Sequence, residues 1–354
     1  MLHDAPPLRV WEIFPSRNVF LCRGKIILGS SPTTFVVTNT LITAAFLACL
    51  ILQGPWFYWY FGIWVPLFMV LYYIWTMFIL WKAAGTDPGI IPRVSPHHKR
   101  NELVATSVEL FPFAPAKPPQ QLSVLLNGVY ENLAYCRTCN IYRPPRASHC
   151  SYCDNCVEVF DHHCPWVGQC IAKRNYRYFV AFLYTLSFAM VLGYLFAFIQ
   201  LWMVISTAQS MMSNGQDNSA IMLRVIFEGW PAIVEGFFSF ILMFSIWGMA
   251  MFHTYLIIVG QTTNESIKRT NRHRSCMESL EDMGRNVVNF ICHEIEPSRI
   301  HFREVHRDDW GLPLRAPRSV FHNLNTQWLE MMPWLNENDS IEEWNKEKNQ
   351  RMWA

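Results

Sequence analysis

Four stretches of this chain stay apolar over lengths that a soluble core helix seldom reaches. They run from about Phe35 to Leu52, Phe57 to Trp81, Tyr178 to Ile205 and Phe237 to Gly260, and the first two hold no charged residue. Crossing ~30 Å of hydrocarbon takes about 20 apolar residues, folded as a helix because each backbone amide must find its partner where there is no water. The sequence therefore predicts an α-helical polytopic membrane protein with four transmembrane helices. Gln53-Gly54-Pro55 is nearly all that parts the first two, which predicts a tight helical hairpin. Trp56, Trp59, Tyr60 and Trp64 at one end of the second stretch and Trp81 at the other match the aromatic belts of membrane interfaces. Composition agrees, with 51% hydrophobic and only 16% charged residues. A net charge of +2 argues against a nucleic-acid partner, which would call for a strongly basic face.

The basic residues orient the chain. Arg9, Arg17, Arg23 and Lys25 precede the first stretch, and both the 82–177 connection and the tail after Gly260 are rich in Lys and Arg. The first loop between stretches has none, and the loop between the third and fourth has only Arg224. By the positive-inside rule both termini and the 82–177 connection face the cytosol. The sequons Asn264-Glu265-Ser266 and Asn338-Asp339-Ser340 then lie on the wrong side for glycosylation and read as chance matches. Met1 to Leu8 lack a basic and then apolar leader, so no cleaved signal peptide is expected. The organisation that follows is a cytosolic segment 1–33, helices one and two over 34–82, a Pro-rich linker over 83–130, a cysteine-rich domain over 131–177, helices three and four over 178–260, and a polar tail 261–354 with no clear domain of its own.

Seven of the 11 cysteines fall between Cys136 and Cys170. They read Cys136-x2-Cys139, then His149-Cys150-x2-Cys153-x2-Cys156, then His162-His163-Cys164-x5-Cys170. Interleaved histidines at such spacings point to metal rather than disulfides. Structural zinc takes four ligands from Cys and His in tetrahedral geometry. Two such sites use eight of the ten candidates and leave one Cys and one His over. Asp161-His162-His163-Cys164 sets a carboxylate, two imidazoles and a thiol in a row. A thiol attacks only as thiolate, an imidazole can take its proton, and a carboxylate can fix the imidazole's tautomer. Cys164 with one of the two histidines, oriented by Asp161, is thus the natural leftover dyad. Spacing does not tell His162 from His163, and it leaves open that Cys164 is a redundant metal residue.

Cys136-Arg137-Thr138-Cys139, Arg143-Pro144-Pro145-Arg146, His149-Cys150, Cys153, Cys156, Asp161-His162-His163-Cys164-Pro165-Trp166, Cys170 and Asn175 with Phe179 together resemble the cysteine-rich domain of the DHHC protein S-acyltransferases. Asp87-Pro88-Gly89 after the second stretch and Thr262-Thr263-Asn264-Glu265 after the fourth resemble that family's flanking motifs. The resemblance implies one structural zinc on Cys136, Cys139, His149 and Cys156, and a second on Cys150, Cys153, His163 and Cys170. It implies Cys164 as nucleophile, His162 as general base and Asp161 as its orienter. The implied reaction passes a long-chain acyl group, palmitoyl above all, from acyl-CoA through Cys164 to membrane-proximal cysteines of cytosolic-face proteins. An Asp-His-Cys site on an acyl chain would sit at the cytosolic interface, over a helix-lined cavity in the endomembrane (Golgi or ER) or plasma membrane, and an accessory subunit serves some members.

Arg143, Arg146, Lys173 and Arg174 are candidates for CoA phosphates, as Arg177 is, with a basic face on the anionic leaflet as the alternative. Ala44, Ala45, Ala48, Ser187, Ala189 and Gly193 could make room for the acyl chain or could serve ordinary helix packing. One departure concerns the tail: Asn289-Phe290 matches the family's Asn-aromatic pair, but the Asn-Pro-Tyr upstream of it is absent. Two other readings compete. A membrane-anchored zinc scaffold would not need the intact Asp161-His162-His163-Cys164, and a RING-like ubiquitin ligase spreads its ligand pairs more widely.

Overall fold

The computed structural model describes residues 8–93, 119–126, 129–268 and 280–304. Most of the Pro-rich linker, the second sequon and the tail beyond residue 304 lie outside them. The chain divides into two units. One is Met1–Pro32, Ala84–Tyr176 and Leu256–Ala354, and the other is Thr33–Ala83 and Arg177–Tyr255.

A short helix α1 (Val10–Ile13) and a hairpin of β1 (Val19–Leu21) and β2 (Ile26–Leu28) open the chain. The apolar stretches then form α2 (Pro32–Leu52), α4 (Trp64–Gly85), α5 (Tyr176–Ser213) and α6 (Asn218–Ile258), each long and apolar enough to cross a membrane. The second stretch is not one helix. A separate α3 (Gly54–Phe61) precedes α4 and stops at Gly62, whose φ of +73° places it in the left-handed region while its amide bonds Tyr58 O. Glycine enters that region without steric penalty, so it breaks an otherwise continuous apolar run.

The third and fourth helices outrun their apolar stretches. With 38 and 41 residues, they are about 57 and 62 Å long at 1.5 Å per residue, roughly twice the hydrocarbon thickness. No breaker stands between Ile205 and Asn214-Gly215, where Gly215 takes φ +68°. The expected loop therefore shrinks to residues 214–217, and Arg224 lies within α6, paired to Glu228 at 3.0 Å. Within this unit hydroxyls tie helix to helix, with Thr43 Oγ1 2.9 Å from Tyr73 OH and Tyr72 OH donating to Thr185 O at 2.7 Å. Gly193 sits against Ser239 and Glu235, where a Cβ would come within 2.8 Å of Ser239 Oγ. That is the close helix packing small residues permit in a membrane.

The other unit is mostly short hairpins. β3 (Gln121–Leu126), β4 (Val129–Cys136) and β5 (Ile141–Tyr142) form one antiparallel sheet, and β6 (Ser148–Cys150) with β7 (Asn155–Val157) and β8 (His162–Cys164) with β9 (Gln169–Ile171) form two two-stranded ribbons. A helix α7 (Thr263–Ile267) and a helix α8 (Leu280–Cys292) follow the last span. Two-stranded ribbons are marginal alone, and these lean on both ends of the chain. Val10, Phe14, Ile27, Ile90, Ile300 and Phe302 share one buried cluster. Trp11 N bonds Phe302 O at 2.9 Å, so this part of the tail folds back onto the N-terminal segment. Arg17 N bonds Cys153 O at 3.1 Å, Gln169 Nε2 donates to Ile27 O at 2.6 Å, and Asn155 Nδ2 donates to Asn18 Oδ1.

Gly29 lets this N-terminal strap lie flat on the β8–β9 ribbon. A Cβ there would stand 2.6 Å from Gln169 Cα and closer still to Gly168 O. Gly29→Ala is expected to lower stability by about 1–3 kcal/mol through overpacking, read as a fall in thermal midpoint. Gly284→Ala, in open space on α8, is the control and should be neutral or raise stability by up to ~1 kcal/mol.

Candidate active site and metal centres

Side chains leave a β-strand alternately to its two sides, and two ribbons turn that rule into ligand sets. In β6 and β7, His149 stands directly opposite Cys156. In β8 and β9, His163 stands directly opposite Cys170. Each cross-strand His/Cys pair is completed by a Cys-x2-Cys turn. Cys136, Cys139, His149 and Cys156 gather with their donor atoms within 4.8 Å of one another, and so do Cys150, Cys153, His163 and Cys170. Neighbours His149 and Cys150 face opposite sides of β6 and so join different quartets.

Both quartets fit a tetrahedral ion. Metal–sulfur bonds of ~2.3 Å and metal–nitrogen bonds of ~2.05 Å at the tetrahedral angle set sulfur and nitrogen about 3.6 Å apart. His149 Nδ1 lies 3.6, 3.5 and 3.8 Å from the sulfurs of Cys136, Cys139 and Cys156. His163 Nδ1 lies 3.7, 3.5 and 3.7 Å from those of Cys150, Cys153 and Cys170. His149 Nε2 reaches Asp154 Oδ1 at 3.5 Å, the kind of carboxylate partner that fixes a ligating imidazole. The Cys150 and Cys170 thiols hold Cys153 well below the ordinary thiol range, against the effect of burial.

Cys164 belongs to neither quartet. It is buried, and it shares a strand face with His162, two residues before it, while His163 between them points the other way. His162 hydrogen-bonds Cys164, and its Nδ1 lies 2.6 Å from Asp161 Oδ2. Burial would lower the His162 pKa, but the hydrogen bonds and charges of Asp161 and Cys164 outweigh it and push the imidazole up to about 9. The arrangement is chemically that of a thiol, a base and an orienting carboxylate. Asp161 is itself held by the first turn of α7. Thr263 N donates to its Oδ1 at 2.7 Å and Thr263 Oγ1 to its Oδ2 at 2.8 Å.

A model of the DHHC palmitoyltransferase family matches residues 129–270. The chain is 35% identical over 321 residues to human Palmitoyltransferase ZDHHC14, covering 88% of this chain and 63% of that protein. It is 34% identical over 308 residues to Palmitoyltransferase ZDHHC9 of Danio rerio, covering 85% and 76%. It is 34% identical over 318 residues to Palmitoyltransferase ZDHHC18 of Mus musculus, covering 87% and 79%. The chain belongs to the DHHC palmitoyltransferase family.

In this DHHC protein the flanking motifs brace the site. Thr262 caps α7 in a reciprocal box with Glu265, and Glu265 takes the Arg146 guanidinium in a two-pronged pair, at 2.7 Å to Nε and 2.8 Å to Nη2. Arg146 Nη2 also donates to Gly260 O at 3.1 Å. Asp87 Oδ1 accepts the amides of Gly89 and Ile90, both at 2.9 Å, while its Oδ2 meets Arg174 Nη1 at 2.9 Å. Arg174 Nε donates to Glu296 O at 2.8 Å, and Lys173 Nζ pairs with Glu296 Oε2 at 2.9 Å. Three of the five basic residues expected at CoA phosphates, Arg146, Lys173 and Arg174, thus meet carboxylates of their own chain. The fourth, Arg143, is half-buried, with Nε 3.4 Å from Ala134 O.

Buried Asn175 accepts from Ala172 N at 2.9 Å and donates to Cys170 O at 2.8 Å, clamping the chain just after the last cysteine. Sequence reasoning left Asn18, Gln169 and the role of Thr263 unassigned. No local pattern marks a side chain whose partner lies more than a hundred residues away.

Burial would raise the Glu265 carboxyl, but Arg146 and the Thr262 amide outweigh it and hold it below the usual glutamate range. Its contribution is therefore present above the unfolded pKa of ~4.3 and is lost as pH falls through the lower folded value. Glu265→Gln should lower stability by about 1–3 kcal/mol at neutral pH. Thermal midpoints of the two proteins should converge in acid below that range.

Proposed function

We propose that the chain is a protein-cysteine S-acyltransferase that forms an acyl-enzyme on Cys164, with His162 as general base and Asp161 as its orienter. The observation that carries the reading is the Thr263–Asp161–His162 hydrogen-bond series ending on a buried thiol that neither metal quartet uses. The Cys164 thiol gives its proton to His162, and the thiolate attacks the thioester carbonyl of a long-chain acyl-CoA. The bond between acyl carbon and CoA sulfur breaks, and CoA leaves as the thiol with the proton from His162. A substrate cysteine then passes its proton to His162 and attacks the acyl-enzyme, releasing Cys164, which regains that proton. This is covalent catalysis in two matched halves. A palmitoyl chain gains about 0.8 kcal/mol for each buried CH2, which is a physical reason for a membrane-embedded enzyme.

The two quartets hold zinc in this reading, Cys136, Cys139, His149 and Cys156 one ion and Cys150, Cys153, His163 and Cys170 the other. When bound, the ions cross-brace the ribbons and supply no reactive water, since each is fully ligated by protein. Arg143 is the leading candidate for a CoA phosphate, ahead of Arg146, Lys173 and Arg174, which already meet carboxylates. The Lys and Arg bias supports a cytosolic site, and membrane-proximal cysteines of cytosolic-face proteins are the natural acceptors.

Labelling with a clickable palmitate analogue tests the reading. Wild type should carry a hydroxylamine-sensitive label, and Cys164→Ser should lose it while keeping its fold. Asp161→Asn and His162→Ala should slow labelling by roughly 10²–10⁴-fold, the usual worth of a positioned base. Cys139→Ser should instead lose metal and thermal stability together. Undiminished hydroxylamine-sensitive labelling of Cys164→Ser would sink the proposal.

A further inference from the structure

The two quartets differ in what stands behind their histidines. A ligating imidazole is held in place through its second ring nitrogen, and losing that outer partner costs roughly 10–100-fold in metal affinity. At the first quartet, that of His149, the outer partner is built by strand register. Residues 89–91 run antiparallel beside β7, where Ile90 bridges Val157 and Ile91 N donates to Cys156 O at 2.9 Å. The same register, carried on, sets Arg93 opposite Asp154. Asp154 leads into β7 with a φ of +57°, a left-handed conformation that Asp tolerates better than most residues. Its Oδ2 pairs with Arg93 Nη2 at 3.1 Å, and its Oδ1 meets His149 Nε2 at 3.5 Å. A guanidinium, a carboxylate and the ligating imidazole thus stand in series, with charge assisting both links.

The second quartet, that of His163, has no such series among the described residues. His163 Nε2 is buried and meets no hydrogen-bond partner there. The Tyr152 ring lies over the imidazole, with centroids 4.9 Å apart and planes at 24°, and Tyr152 is itself 64% exposed. A ring stacked on the imidazole face cannot accept from an N–H in the imidazole plane. Outside the Cys-x2-Cys turn, Ser30 Oγ stands 3.7 Å from Cys153 Sγ, a neutral contact. All six cysteines of the two quartets are buried, so solvent access to sulfur does not separate the sites.

Resting on the reading that both quartets hold zinc, we infer that the second quartet gives up its ion first and that this release alone switches off acyl transfer. His163 lies between His162 and Cys164 on β8 and stands opposite Cys170 across the ribbon. Freeing His163 and Cys170 loosens the strand that carries the base and the nucleophile, while the first ion still braces β6 and β7. Arg93 and Asp154 are positioning residues for the first ion, and sensitivity of the site to zinc supply resides in the second.

Limited chelation of the purified full chain in nanodiscs tests this. A chromogenic zinc chelator counts the ions released, and N-ethylmaleimide labelling read by peptide mass spectrometry shows which cysteines each release frees. Release should come in two phases of one ion each, about tenfold or more apart in rate. Cys150, Cys153 and Cys170 should label in the first phase and Cys136, Cys139 and Cys156 in the second, with acylation of Cys164 lost in the first. Asp154→Asn should speed the second phase by about tenfold or more and leave the first unchanged. A chain that purifies without zinc would sink the zinc reading and this inference together. From a chain with two zincs, release in a single phase, labelling of the first quartet before the second, or acylation that survives until the second ion leaves would overturn the inference alone.

Discussion

The module depends on a strand's habit of sending successive side chains to opposite sides. In β8 that habit parts two adjacent histidines, so that one imidazole meets three sulfurs and its neighbour meets a carboxylate and a thiol. In β6 it sends His149 and Cys150 into different quartets. Slipping either ribbon by one residue would exchange the two faces and break both sets. The Cys/His quartets and the proposed Asp161–His162–Cys164 site are thus two faces of one construction.

That construction has little apolar core to rest on. Its buried residues are largely cysteines in small clusters, and hydrogen-bonded polar groups take much of the load. A buried carboxylate such as Asp161 is costly unless its oxygens are satisfied. Here Thr263 and His162 meet both of them. Asp87 is met likewise by two backbone amides and Arg174. Each brace joins segments far apart in sequence, which explains how the flanking motifs serve a site whose reactive residues they do not contain.

The membrane class and the presence of two four-ligand metal sites among ten Cys and His candidates were legible from local signals, uninterrupted hydropathy and ligand spacing, whereas the membership of each quartet came from family resemblance. His162 and His163 were separable only through family resemblance, although alternation along a strand would have parted them had residues 162–164 been read as one. The helix ends were misjudged for a physical reason. Hydropathy reports where lipid is, whereas α5 and α6 run on until Asn214-Gly215 breaks them. Arg146, Lys173 and Arg174 read as a basic surface because sequence shows charge but not the carboxylates of Glu265, Glu296 and Asp87 that fold back onto them.

The division of labour between the paired histidines is the central claim, and metal content measures it directly. Elemental analysis of the purified full chain should find two zinc ions per molecule, matching the two quartets. His162→Ala should keep both while losing acyl transfer, and His163→Ala should lose the ion of the second quartet. Loss of metal from His162→Ala, with His163→Ala retaining both ions, would contradict it.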